Sequence, residues 1–189
     1  FAMTIDGYPI IEPLQVAVRI EHELIDYTMN KIWINGPETK PAIQVQLLQN
    51  GEAYGDPVTL NGSENWTYTW TDLPKTDVSG NEYAYSVTEV DVPENYEMTV
   101  SDDGSTITNT YVIPKIDITG TKVWIGGSKP SIEIQLYRNG VAYGDPVVLE
   151  SGKTTYTWTN LDRNDSNGEA YVYTIDEVSV PEGYEKSIS

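Results

Sequence analysis

The sequence has 189 residues, of which 11 are Lys or Arg and 29 are Asp or Glu, so its formal net charge is −18. This acidity argues against a nucleic-acid partner, because phosphate binding needs an excess of Lys and Arg. The lack of cysteine excludes disulfides and cysteine-ligated metals, the single histidine (His22) excludes multi-histidine metal sites, and no apolar run reaches the roughly 18 residues of a membrane span. No cofactor is expected.

The first 23 residues form a leader segment without a counterpart later in the chain. We interpret residues 1–23 as a tag or as the end of a preceding domain, with His22 at the surface because it lies on a polar phase. The chain shows no recognisable signal peptide or C-terminal sorting sequence, which is typical of a mature or excised piece.

Two long segments recur later in the chain in the same order. Ile43–Leu60 recurs as Ile132–Leu149, and Tyr83–Glu97 recurs as Tyr171–Glu185. A repeat of roughly 90 residues is the size of a domain and is too long for a solenoid repeat. The sequence therefore predicts two homologous domains in tandem, residues 24–113 and 114–189.

Each repeat has the pattern of a β-rich domain. Apolar residues alternate with polar ones from Ile43 to Leu47 and again from Ile132 to Leu136, which is typical of half-buried strands. Asn50-Gly51 and Asn139-Gly140 follow these strands, and Asn-Gly is a strong hairpin signal. Since no segment keeps a 3.6-residue period, we predict an all-β fold with two β-sandwiches in tandem.

The second domain is predicted to be shorter than the first. Ser189 aligns with Ser101, and the first domain continues past this position with the segment DDGSTITNTYV. We therefore expect the second domain to lack its last strand within this chain.

Five polar residues occupy positions where the alternation predicts the interior. Glu89 and Glu177 each follow, at every second position, the large apolar residues that are predicted to face inward, and Asn109 alternates with apolar neighbours. Lys31 and Lys122 are each predicted to begin a strand, on the face that also carries a tryptophan. Each of these residues is costly to bury alone, so their co-occurrence suggests that they meet.

Such a cluster has two interpretations. It is either a buried Lys–Glu ion pair with a hydrogen-bonded Asn, or a reactive site. In the second case burial favours the neutral amine and the protonated carboxyl. The amine attacks the Asn side-chain carbonyl, the carboxyl shuttles protons, and ammonia leaves as an amide forms.

Several motifs in this chain resemble those of the Cna protein B-type domain. They are Lys-Val-Trp near the start, a Gln-Leu-x-x-Asn-Gly hairpin, Trp-Thr-x-Thr-Trp, Tyr-x-Val-Thr-Glu-x-x-Val-Pro-x-x-Tyr and a closing Ile-Thr-Asn-Thr. The resemblance covers about residues 24–189, and the motifs that recur in the second repeat keep the same order there. It implies prealbumin-like (inverse immunoglobulin-like) sandwiches of the kind that form stalks in Gram-positive surface adhesins and pilins.

The resemblance also implies a role for each of the polar residues. Lys31 would be the nucleophile, Asn109 the acceptor and Glu89 the catalytic acid/base of an autocatalytic isopeptide bond. Lys122 and Glu177 would have the same roles in the second domain, where the family's Asn position falls beyond Ser189. Some relatives use Asp as the acceptor, so Asp6 in the leader is a further candidate partner for Lys122, through strand exchange between chains.

Two other patterns have ordinary structural explanations. The oxygen-rich segment Asp162–Glu169 departs from the calcium-loop register because Arg163 stands where the first Asp should be, so we expect a turn. Trp66, Trp70 and Trp158 could form a sugar-stacking face, but we expect them to pack within the sandwiches.

The sequence thus predicts a mechanical function. We expect a stalk or spacer module of a cell-wall-anchored surface protein, located outside the cell and in contact with neighbouring domains of the same protein. It would not be an enzyme, apart from one self-directed bond formation. The alternative is a ligand-binding adhesin module that recognises a host matrix protein or a glycan.

Overall fold

The computed structural model describes residues 4–5, 8–9, 23–62 and 65–188 and consists mainly of β-strands. Near the N-terminus, β1 (Thr4–Ile5) pairs antiparallel with β2 (Tyr8–Pro9). Asp6 and His22, which the sequence singled out, lie outside the described residues. In the part of the chain that the structure describes, no helix is long and apolar enough to cross a membrane.

The described part of the first unit has eight strands. They are β3 (Leu24–Ile34), β4 (Ile43–Gln49), β5 (Glu52–Ala53), β6 (Val58–Leu60), β7 (Thr67–Pro74), β8 (Tyr85–Glu89), β9 (Tyr96–Val100) and β10 (Thr106–Tyr111). One sheet has the order β7-β3-β10-β9, and in the other sheet β4 pairs with β5, β6 and β8. The pairing of β3 with β10 is parallel.

The core of the first unit lies between its two sheets. Met29, Val45, Leu47, Leu60 and Ile107 are completely buried there. Their side chains come from alternate positions of β3, β4, β6 and β10, because one face of each half-buried strand points inward. The predicted all-β sandwich is confirmed.

The Asn-Gly hairpins also form as predicted. Asn50 has φ 53° and Gly51 has φ 84°, and Asn139 and Gly140 have φ 51° and 79°. Two consecutive positive φ values are the requirement of a type I′ turn, which Asn-Gly meets at low steric cost.

In the second unit the described residues form six strands. They are β11 (Lys115–Thr121), β12 (Ile132–Arg138), β13 (Val141–Ala142), β14 (Val147–Leu149), β15 (Thr155–Asp162) and β16 (Tyr173–Glu177). β11 pairs with β15, whereas β12 pairs with β13, β14 and β16.

Fewer of the second unit's described residues form its first sheet than predicted. Residues 184–188 align with β9, yet they are not in a strand, and no described residues form a counterpart of β10. Among the described residues β9 pairs only with β10, and no described strand takes the place of β10 beside the counterpart of β9.

Both lysines lie elsewhere in their strands than predicted. Lys31 is inside β3, because residues 24–30 pair with β7 and extend the strand upstream. Lys122 lies just after the end of β11. The prediction that each lysine begins a strand is therefore wrong.

A short linker, residues 112–114, joins β10 to β11, and the two units contact each other beside it. The Gly36 amide donates to the Ser166 carbonyl at 2.7 Å, and the Asn164 side-chain amide donates to the Tyr111 hydroxyl at 3.0 Å. Pro37 packs over Gly168 so closely that a Cβ there would lie 2.7 Å from the Pro37 ring. We call this set of contacts the joint.

Candidate functional site

Lys31 and Glu89 form an ion pair inside the first unit. The Lys31 ammonium lies 3.1 Å from a Glu89 carboxylate oxygen, and neither side chain is exposed to solvent. Lys31 comes from β3 in one sheet, and Glu89 is the last residue of β8 in the other. The pair therefore spans the sandwich.

Asn109 completes this cluster from β10. It is completely buried, and its side-chain amide donates to both Glu89 carboxylate oxygens, at 3.1 and 2.9 Å. Because β10 lies next to β3, with Ile107 opposite Lys31, Asn109 stands on the same face two residues further along. The fold thus brings together Lys31, Glu89 and Asn109. The sequence had grouped them only because each occupies a position that the alternation predicts to face inward.

An aromatic ring lies over the lysine of this cluster and packs against two further rings. The Lys31 ammonium lies 4.4 Å from the centre of the Trp33 ring, whose other neighbours are Trp66 at 5.3 Å and Tyr96 at 4.9 Å, both edge-on. Burial in these surroundings lowers the pKa of Lys31 from its ordinary value, and the Glu89 carboxylate opposes that shift. The site favours a neutral amine more than water does.

The orientation of the Asn109 amide bears on the chemistry of the site. Its Oδ1 is buried and accepts no hydrogen bond. With the two ends of the amide exchanged, a protonated Glu89 would donate to Oδ1. Two proton distributions therefore fit the same side chains: an ion pair, or a neutral amine beside a carboxylic acid.

The second unit contains the corresponding lysine and glutamate, and no described asparagine hydrogen-bonds this glutamate. Lys122 lies 3.0 Å from Glu177, with 21% of the lysine side chain and 5% of the glutamate side chain exposed. Lys122 also stands 4.5 Å from the centre of the Trp124 ring, as Lys31 does over Trp33. The second carboxylate oxygen of Glu177 is buried and has no hydrogen-bond partner among the described residues.

The other candidate sites are structural. The segment Asp162–Glu169 contains a turn in which the Asp165 carboxylate accepts the backbone amides of Asn167 and Glu169. Among the described residues, no three His, Asp or Glu side chains are placed to bind a metal ion. Trp66 and Trp70 pack against the first core, and Trp158 packs against the second.

Sequence reasoning missed two parts of this arrangement. The first is Tyr96, whose ring packs edge-on against Trp33. The repetition of this tyrosine in the sequence as Tyr184, whose ring centre lies 5.1 Å from that of Trp124, could have indicated the contact. The joint through Tyr111 and Asn164 left no signal, because its members are not repeated between the units.

Comparisons with known proteins show what this chain is similar to. The family model of the Cna protein B-type domain matches residues 27–110 and 118–189. A collagen adhesin of Staphylococcus aureus is 37% identical over 149 residues, which is 75% of this chain but 12% of that protein.

Solved structures give similar matches. A crystal structure of a single B repeat unit (B1) of the collagen-binding surface protein of S. aureus is 32% identical, with 88% of this chain and 92% of that chain covered and a TM-score of 0.43. The pilus adhesin SpaC of Lactobacillus rhamnosus GG is 14% identical, with 88% of this chain and 22% of that chain covered and a TM-score of 0.37.

Proposed function

The chain belongs to the family of Cna protein B-type domains, and on this premise we propose that it is a stalk segment of a Gram-positive surface protein, stabilised by an amide bond between Lys31 and Asn109. Domains of this family are structural modules and not enzymes. The proposed domain limits are residues 24–113 and 114–189. The proposed location is the cell wall, outside the cell, because the curated relative is an adhesin of a Gram-positive bacterium.

One observation carries the proposal: a lysine, a glutamate and an asparagine are buried together. Lys31 is 3.1 Å from Glu89, and Asn109 hydrogen-bonds the same carboxylate, with Asn109 completely buried. Replacing a buried ion pair by apolar residues is often neutral or stabilising, so stability alone gives little reason to keep one. Bond formation gives such a reason.

The reaction follows from these contacts. Lys31 passes a proton to Glu89 across the ion pair, and the neutral amine attacks the Asn109 Cγ. The Glu89 carboxylic acid donates to Oδ1 as negative charge develops there, and then relays a proton from the lysine nitrogen to the leaving amide nitrogen. The Cγ–Nδ2 bond breaks, ammonia leaves, and the new amide joins β3 to β10.

This bond would suit a load-bearing role. β3 and β10 are the first and last strands of the unit and lie side by side in parallel. A pull on the two ends of the unit therefore acts along these neighbouring strands in opposite directions. An amide from Lys31 to Asn109 would carry that load directly, so the backbone hydrogen bonds between the strands would not have to.

The joint supports the stalk role as well. A linker of residues 112–114 leaves little slack, and the contacts of Gly36 with Ser166 and of Tyr111 with Asn164 resist bending between the units. The net charge of −18 would also keep neighbouring stalks apart.

A binding role is the second candidate. The curated relative is named a collagen adhesin, but the chain spans only about an eighth of that protein, 12% of its length. In this chain all five tryptophans are at least partly buried, which leaves few aromatic side chains for a ligand. Saturable binding of the chain to immobilised collagen or to a glycan array would favour this alternative.

Intact-mass spectrometry under denaturing conditions tests the proposed bond. We expect the chain to be lighter than its sequence by one ammonia and the Asn109→Ala variant to have its full calculated mass. Digestion should yield one branched peptide that joins Lys31 to Asn109. A full calculated mass for the unaltered chain would refute the bond.

A further inference from the structure

A hydrogen-bond donor and a hydrogen-bond acceptor are buried without partners beside the cluster of the first unit. The donor is the Nε1–H of Trp33 and the acceptor is the Oδ1 of Asn109, and neither has a partner among the described residues. A buried tryptophan N–H usually finds a partner, and leaving a buried polar group unpaired costs free energy of folding. Two complementary unpaired groups in one place therefore require a physical explanation.

The two residues are neighbours in the first sheet. Trp33 of β3 lies directly opposite Asn109 of β10 in the parallel pairing, and neighbouring strands are about 4.8 Å apart. Trp33 packs against the core, where Asn109 is completely buried. The centre of the Trp33 ring also lies 4.4 Å from the Lys31 ammonium. The indole is therefore beside both partners of the proposed bond.

Other buried donors without partners are placed less well for contact with Asn109. Among the described residues of the first unit, Tyr27 and Tyr96 each have such a hydroxyl. Tyr27 lies opposite a residue of β7, and Tyr96 lies opposite the last residue of β10. Of these three donors, Trp33 belongs to the residue that pairs with Asn109 itself.

The reaction needs a donor besides Glu89. When the amine attacks, negative charge develops on Oδ1 of Asn109, while the leaving nitrogen Nδ2 needs a proton. In the structure both Glu89 oxygens accept from Nδ2, at 3.1 and 2.9 Å, and Oδ1 has no partner. A carboxylic acid carries one proton, so Glu89 cannot stabilise the oxygen at the moment when it protonates the nitrogen.

We propose that the Trp33 indole N–H is an additional catalytic group, which donates a hydrogen bond to the Asn109 oxygen while Glu89 protonates the leaving nitrogen. The inference rests on the bond proposed between Lys31 and Asn109. It assigns the two tasks at the amide to two side chains that approach it from different sheets, Trp33 from β3 and Glu89 from β8.

The atoms balance with Trp33 as the donor of a hydrogen bond and not of a proton. Lys31 gives one proton to Glu89, and its neutral amine attacks Cγ, so the carbonyl electron pair moves to Oδ1. Glu89 passes its proton to Nδ2 and then takes the second proton of the lysine nitrogen. The Cγ–Nδ2 bond breaks, the carbonyl re-forms and ammonia leaves. The oxygen of the new amide keeps the hydrogen bond from Trp33.

The first test measures how fast the full chain forms the bond. Cell-free translation supplies newly made chain, an inhibitor stops synthesis, and intact mass follows the loss of ammonia with time. The replacement Trp33→benzothienylalanine, introduced at an amber codon, keeps the shape of the ring but has sulfur in place of the N–H. We expect it to slow bond formation by about a hundredfold, as the loss of one oxyanion donor typically does.

The same replacement at Trp66 is the matched control. The Trp66 ring packs edge-on against Trp33 at 5.3 Å, but it is Trp33 that lies opposite Asn109. The chain altered at Trp66 should react as fast as the unaltered chain. An unchanged rate with benzothienylalanine at position 33 would overturn the proposal. Equal slowing by the two replacements would also overturn it, because the effect would then come from ring packing.

The indole signal of Trp33 gives a second measurement that does not depend on the rate. Trp33→Phe assigns this signal by removing it from the proton–nitrogen NMR spectrum. We expect the indole proton to resonate further downfield in the unaltered chain than in Asn109→Ala, because only the unaltered chain supplies the acceptor. The same resonance position in both chains would contradict the hydrogen bond.

The mass of the unaltered chain separates this inference from the bond itself. A full calculated mass would refute the bond, and with it the role of Trp33. A chain that is lighter by one ammonia, and that reacts equally fast with benzothienylalanine at position 33, would refute only the role of Trp33 and leave the stalk proposal intact.

Discussion

The two units contain the same lysine–glutamate pair, and they differ in what covers it. The Lys31 side chain is fully buried on a strand that β10 flanks, whereas 21% of the Lys122 side chain is exposed in the second unit, where no described strand takes the place of β10. The backbone differs in the same way, since the lysine is inside β3 but falls after the end of β11. A neighbouring strand therefore decides both whether these residues are in a strand and how well the lysine is shielded.

The cores of the two units also differ at a pair of packed positions. Met29 is completely buried in the first unit, and its counterpart is Gly120. A Cβ on Gly120 would lie 2.9 Å from the Cδ1 of Ile175, which stands where the first unit has the smaller Val87. The longer Ile175 lies against Gly120, so the pair Gly120 and Ile175 fills the space that Met29 and Val87 fill in the first unit.

The largest expected effect is a difference in stability between variants of the two glutamates. Glu89→Gln should prevent the amide bond and lower the free energy of unfolding of the first unit by about 4–5 kcal/mol, the chain-entropy value of a cross-link across so long a loop. Glu177→Gln should lower that of the second unit by only about 1 kcal/mol, because Lys122 can reach water. Denaturant-dependent hydrogen exchange reports the free energy of unfolding of each unit separately and therefore measures both losses.

The exposed Glu182 provides the control for this pair of variants. Glu182→Gln should change neither unit and should leave the mass of the chain one ammonia below its calculated value. Equal losses for Glu89→Gln and Glu177→Gln would show that the two units do not differ as their burial indicates.

The next effect tests the compensation between the cores. Gly120→Met should destabilise the second unit by about 1–3 kcal/mol through overpacking against Ile175. Ile175→Val alone should cost about 0.5–1.5 kcal/mol by removing a buried methylene. The double variant recreates the pair found in the first unit and should cost clearly less than the sum of the single changes, as measured by urea denaturation. Additive costs would mean that the two positions are independent.

A smaller effect concerns the joint. Gly168 and Gly80 occupy matching turns with φ 83° and 86°, so alanine should cost each turn about 1–2 kcal/mol. Only at Gly168 would the new Cβ meet Pro37, at 2.7 Å, whereas nothing lies within 4 Å of the Gly80 position. Small-angle X-ray scattering should therefore show a broader range of interdomain angles for Gly168→Ala and no change for Gly80→Ala. The same broadening in both variants would contradict the prediction that the contact between Pro37 and Gly168 restrains the angle between the units.

The sequence predicted the features that local patterns determine. The alternation of Val45 and Leu47 gave the strands of the sandwich, and Asn50-Gly51 gave the hairpin, because each depends on the residues themselves. The inward phases of Glu89 and Asn109 were predicted for the same reason, and both residues are buried.

Features that depend on a distant partner were not predictable in this way. Lys31 lies inside its strand because β7 pairs with the residues before it, and the counterpart of β9 is not a strand because no described residues pair with it as β10 pairs with β9. The contact between Asn164 and Tyr111 depends on how two units meet, which a repeat within one unit does not encode.

The smallest effect is a pH dependence that reports on the buried amine of the first unit. In Asn109→Ala the amine of Lys31 stays free, and burial lowers its pKa below the ordinary value of 10.5. The folded chain then binds fewer protons than the unfolded chain between the lowered pKa and 10.5, so its stability should rise with pH through that window and stay level below it. Tyr96 acts in the opposite direction, because burial raises its pKa. The contribution of Lys31 is isolated by comparing Asn109→Ala with the Lys31→Met/Asn109→Ala double variant by chemical denaturation at several pH values. We expect the difference between their free energies of unfolding to rise with pH through that window. A difference that does not change with pH would show that Lys31 titrates as it does in water.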